Sequence, residues 1–182
     1  MSAKPTDSAC DKNRKADKRA GSGAVKTAFG GAALGIALIL AYVETILPIN
    51  IGVPGIKLGL PNLAVLFLLY KHGFLPALAV SCLRVILCGI LFGNFTSFLY
   101  AASGALLSLA VMAVLKKTDA FSPTGVSVAG GISHNLAQIC AAAVILDTSA
   151  VAYYLPALII SGTVCGAGIG ILGGIMIKKV RI

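Results

Sequence analysis

Apolar residues run uncharged from Thr27 to Val43, and comparable stretches recur at residues 73–93, 95–115, 125–146 and 151–177. Each approaches the roughly 20 residues that a helix needs to cross a hydrocarbon core. A shorter apolar piece lies near 57–71; its helical part, 61–71, would rise only about 16 Å, half of that core. Between the first stretch and this piece stands "PINIGVPGIKLGLPNLA", residues 48–64. Gly52, Pro54, Gly55, Gly59 and Pro61 break any helix there, yet the remainder is greasy, unlike a solvated connector. The pattern predicts an all-α integral membrane protein.

Composition and charge sharpen this reading. Of 182 residues, 58% are hydrophobic and 12% charged, against about 25% charged in ordinary soluble domains. If six helices cross, one side receives the seven Lys/Arg of residues 1–26 together with Lys71, Lys116, Lys117, Lys178, Lys179 and Arg181, while Lys57 alone falls on the other. Five crossings would put Lys116 and Lys117 on the wrong side, so the positive-inside rule predicts six transmembrane helices with both termini cytoplasmic. The net charge of +9 then records orientation and calls for no nucleic acid. Residues 1–26 mix basic and acidic groups with few large apolar side chains, the composition of a disordered cytoplasmic tail, leaving 27–182 as the membrane domain. The run after Lys26 exceeds the apolar core of a cleaved signal peptide, and reads as a retained first helix.

Polar residues within the apolar stretches are costly, about 2.5–3.5 kcal/mol for a central charge. Arg84 lies near the middle of the third helix, where snorkelling to water is hard. It either closes an internal contact or binds an anionic ligand. His134 and Gln138, spaced i, i+4, share a face of the fifth helix with Asn135 beside them, as interhelical glue or as ligand contacts. Glu44 falls near the outer end of the first helix, as an interfacial carboxylate reaching water or as a ligand contact; Asn62 and Asn94 sit at helix ends, where they cap or face a cavity. Lys57 belongs to the greasy loop. Folded over a cavity as a lid, that loop would bring its cation to a ligand; otherwise Lys57 points to external water. Asp147 stops a helix, and Tyr153 and Tyr154 suit an aromatic belt.

The remaining chemistry excludes more than it assigns. Cys82, Cys88, Cys140 and Cys165 fall in apolar stretches and Cys10 in the tail, without the spacing of a metal site or disulfide framework, so neither metal nor resident cofactor is expected. The carboxylates Asp7, Asp11, Asp17, Glu44, Asp119 and Asp147 do not cluster as magnesium-dependent diphosphate chemistry requires. No GxxxxGK[ST] string occurs, so an ATP-driven step would need a partner. The chain is therefore expected to be no enzyme. Ala33, Ala37 and Ala41 place small residues four apart on one face of the first helix, open to close approach by another helix of this chain or by a second subunit. Ala101 and Ala105, and Gly162, Gly166 and Gly170, make similar stripes.

The strings "GIKLGLPNLAVLFLLYKHG", "LRVILCGILFGNFTSFLYAASGALLSLAVM" and "FSPTGVSVAGGISHNLAQICAA" resemble the Gx transporter family, also labelled heptaprenyl diphosphate synthase component I, over roughly residues 30–175. That family in turn is similar to the S-components of energy-coupling factor transporters. The resemblance implies a six-helix subunit in the cell membrane of a bacterium, binding a vitamin-like ligand from outside, with Ala33, Ala37 and Ala41 docking a transmembrane coupling subunit that works with two ATPases. With Lys57, Asn62, Arg84, Asn94, His134, Asn135, Gln138 and Glu44 around the site, cations outnumber carboxylates and an anion is expected, such as a flavin or quinone precursor. The label offers an alternative, a non-catalytic membrane subunit accompanying a prenyl synthase. A self-sufficient carrier is disfavoured by the absence of visible inverted repeats.

Overall fold

A computed structural model describes residues 7–46, 58–91 and 93–180, with side chains from Thr27 onward. All its regular elements are helical: α1 (Asp7–Ile46), α2 (Asn62–Lys71), α3 (Phe74–Leu91), α4 (Phe95–Lys117), α5 (Pro123–Ile145), a 3-10 turn (Ser149–Tyr154) and α6 (Leu155–Lys179). The chain divides into two units at Ala32 and Ala33. Over its described residues the first is helix from Asp7. Ala, Lys and Arg are good helix formers, and Asp7 and Asp11 near the N-terminus complement the helix dipole.

The second unit holds the later part of α1 and α2–α6. Among the described residues, five helices are long and apolar enough to cross a membrane, at Thr27–Ile46, Phe74–Leu91, Phe95–Lys117, Pro123–Ile145 and Ser149–Lys179. The ten-residue α2 is about 15 Å long, half a hydrocarbon core. Its middle is enclosed: Ala64 to Leu69 are all buried, so this short helix is apolar all round because protein surrounds it.

Glycine sets the packing of α4, α5 and α6. A Cβ on Gly131 would stand 2.5 Å from the Gly162 carbonyl oxygen, one on Gly166 2.8 Å from Val128 Cα, and one on Gly170 2.6 Å from Thr124 Cα. As the α5 number falls the α6 number rises, so the two helices are antiparallel with backbones in contact, which only small residues permit. The α4–α5 seam repeats this: Gly104 lies under the His134 ring and Gly130 under Met112, with would-be Cβ contacts of 2.8 and 2.7 Å. Of the small stripes seen in the sequence, the one on α6 is thus an internal seam. Ala33 and Ala37 on α1 are also buried, Ala37 completely.

Lysines gather at one end. Lys116 Nζ donates to the Leu69 carbonyl and lies over the Tyr70 ring, 5.3 Å from its centroid, joining the last turns of α4 and α2. Lys178 and Lys179 close α6; Gly173, just before them, packs on Leu66 of α2. Outward-facing Ile39, Ile90, Val144, Ile160 and Val164 remain exposed, the surface that a multi-pass protein presents to lipid.

Candidate functional site

All six helices line one narrow recess. From the first half of the chain come Glu44 of α1, Gly59 and Pro61 of the connection, Asn62 of α2 and Arg84 of α3. Ala101, Ser108 and Met112 of α4 face Ser127, Gly130, His134, Asn135 and Gln138 of α5, and α6 adds Gly162, Cys165, Gly166 and Ile169. Lining positions 101–112 and 127–138 each cover eleven helical steps, so the recess extends about 16 Å along the bundle. Much of its wall is glycine, and the closeness of the α5–α6 backbones leaves room only where side chains are missing.

Six of the eight residues singled out from the sequence therefore meet here, though they do different work. Arg84 is partly accessible, but its Nε is enclosed and finds no hydrogen-bond partner among the described residues. A buried guanidinium nitrogen without an acceptor is unusual; the recess it lines is where an acceptor could arrive. His134 packs its ring against Gly104 and Gln138 follows one turn later, both half-buried. Asn135 is tied up: its Nδ2 donates to the Leu158 carbonyl at 2.6 Å, a buried clamp from α5 to α6, and of the two readings for this face it takes the glue.

Glu44 corrects the sequence picture most. An interfacial carboxylate reaching water was one expectation, whereas Glu44 Oε1 accepts the Gly59 amide at 2.7 Å. Gly59 adjoins Ile169, ten residues or about 15 Å from the Lys179 end of α6. Non-helical backbone thus enters to roughly half the length of α6, a depth tolerated only where its polar groups are met within protein. Asn62 lies at the foot of this connection and lines the recess. Asn94 does not: its Oδ1 accepts from the Ser97 amide at 2.8 Å, capping α4 at an exposed end. Lys57 and the remainder of the loop, 47–57, lie outside the described residues.

Ser108, Ser127, Met112 and Cys165 line the recess without having been picked out as site residues. Ser108 could have been sought one turn beyond Gly104 on the small face of α4, but nothing in that spacing says which side chains it opposes. Cys82, Cys88 and Cys165 are partly buried and Cys140 is exposed. No group of three His, Cys, Asp or Glu side chains able to hold a metal ion occurs among the described residues.

Five long apolar helices around a partly polar central recess define a multi-pass helical membrane protein. Within that class, the sequence profile of one family matches residues 33–176, most of the chain. The chain belongs to the heptaprenyl diphosphate synthase component I family, the family whose strings it carries. No curated relative and no solved structure matches it.

Proposed function

We propose that the chain is a membrane-embedded binding subunit for a small, anionic, vitamin- or cofactor-like molecule, taken up or translocated through the central recess. The observation that carries this reading is Arg84: a cation with an enclosed, unpartnered Nε lines a recess shared with His134, Gln138 and Asn62. A carboxylate or phosphate there would supply charge-assisted hydrogen bonds at a depth where they are strong. Glu44, holding Gly59, has one carboxylate oxygen committed to the connection. The subunit crosses the cell membrane six times, with α2 as the short second passage and the lysine-rich end in the cytoplasm. It is not itself an enzyme and depends on partners, such as a coupling subunit and ATPases, for any energised step. Ala33 and Ala37 are buried within the chain, so a partner docking on α1 would meet its neighbouring exposed positions, Ile36 and Ile39, first.

The test is chemical. The full chain is purified in mild detergent and denatured, and any stoichiometric small molecule released is identified by absorbance and mass spectrometry. A polar, anionic compound, absent from Arg84→Ala, is the expected result; wild-type and Arg84→Ala protein releasing equal amounts would remove the site as drawn.

A second reading, a non-catalytic membrane subunit of a prenyl synthase, is favoured by the family's own description. It predicts co-purification with a soluble, Asp-rich synthase and a polyprenyl species in the released fraction.

A further inference from the structure

Several hydroxyls on these helices bond to the backbone of the preceding turn. Ser103 Oγ donates to the Tyr100 carbonyl, Ser133 to Gly130, Ser161 to Leu158, and Thr163 and Thr45 to the carbonyls four residues back, Ile159 and Ala41. That is the ordinary fate of a hydroxyl on a helix with no water at hand. Ser108 is only 2% exposed, yet its Oγ is enclosed and bonds to no described residue. It faces α5, 3.2 Å from where a Cβ on Gly130 would stand, and it lines the recess.

Its height relative to Arg84 follows from helix register. Gly89 of α3 packs against Phe98 of α4. Five residues back along antiparallel α3, Arg84 is level with about Ser103; Ser108 lies five residues farther toward the lysine-rich end, about 7 Å. Ser127, 6% exposed, lines the same lower region from α5. Below the Arg84 level the wall also carries Asn62 and the Glu44 carboxylate, both beside Gly59 at the height of Ile169, among Met112 and Gly166. A buried hydroxyl left unpaired is expensive, so something that enters the recess has reason to meet it.

We infer that Ser108 is a second ligand anchor, and that the recess takes a small organic anion carrying a hydroxyl, amine or carbonyl group apart from its charged end. The charged end lies at Arg84 and the second polar group against Ser108 Oγ, which can donate or accept. This deepens the binding reading above and rests on Arg84 as its anion group.

The probes are unbranched ω-hydroxy acids from 3-hydroxypropanoate to 6-hydroxyhexanoate, each beside its unsubstituted carboxylate, titrated into the purified full chain in detergent and followed by saturation-transfer NMR. Wild type is expected to prefer at least one hydroxy acid over its parent by about tenfold, the scale of one buried hydrogen bond. Ser108→Ala should erase that preference, keep the parent's affinity, and unfold without ligand at the wild-type temperature or above. Retained preference in Ser108→Ala, no preference or no binding in wild type, or a lowered unfolding temperature of unliganded Ser108→Ala would each overturn the inference. Arg84→Ala reports separately on the underlying reading: it should lose hydroxy acids and parents alike, and undiminished carboxylate binding would overturn that reading whatever Ser108 does.

Discussion

The Glu44 carboxylate and the Gly59 amide, fifteen residues apart in sequence, are joined by a 2.7 Å hydrogen bond that holds the entry to α2 against the end of α1. Gly59 has φ +70°, a left-handed conformation that glycine adopts without penalty, and Asn62 opens the helix three residues later. A side chain for which water was one of two expected surroundings thereby satisfies backbone that reaches about halfway down the bundle.

Replacing Glu44 tests that role. Glu44→Ala leaves the Gly59 N–H without its acceptor and should lower unfolding free energy by about 1–3 kcal/mol, the cost of a buried unsatisfied donor. Glu44→Gln keeps an acceptor oxygen and should lose less. Unfolding of both variants in the same mild detergent makes the comparison; equal losses would mean that the charge, not the hydrogen bond, matters.

The glycine seam makes a sharper contrast within one helix. Gly131→Ala would set a Cβ 2.5 Å from the Gly162 carbonyl oxygen, and Gly162→Ala one 2.9 Å from both Asn135 Nδ2 and the Gly131 oxygen. Overpacking of this kind typically costs about 1–3 kcal/mol. Gly168 has no neighbour within 4 Å of a new Cβ, and Gly168→Ala should be neutral or stabilising by up to about 1 kcal/mol through helix propensity. Thermal unfolding of the three variants should rank Gly168→Ala first.

Arg84 separates binding from folding. Because its Nε makes no hydrogen bond to a described residue, Arg84→Ala should leave a monodisperse, folded protein while releasing no bound anion on denaturation. Arg84→Lys keeps the charge but not the planar donor fork and should bind at least tenfold more weakly. Gel filtration together with mass spectrometry of the released fraction reads both.

Orientation is open to a direct reading. The end bearing Lys71, Lys116, Lys117, Lys178 and Lys179 should be cytoplasmic, so a fluorescent protein fused after Ile182 should fold and fluoresce, and an alkaline phosphatase fused there should be inactive. The opposite pair of results would reverse the topology.

Apolar length is a local property, which is why the long helices, the odd brevity of α2 and the anomaly of Arg84 were legible in the amino-acid order alone. So were Arg84, His134, Gln138, Asn62 and Glu44 as residues that one recess unites. Depth and register between helices are not local. The small stripes on α1, α4 and α6 look alike as spacing, and only packing makes Gly162, Gly166 and Gly170 a seam against α5 while burying Ala33 and Ala37. The same holds for single polar groups: Asn94 caps α4, Asn135 clamps α6 and Glu44 holds Gly59, while Ser108 faces the recess unpaired. Each polar atom must find its partner in three dimensions, and which partner lies within reach is decided by how helices distant in sequence come to lie side by side.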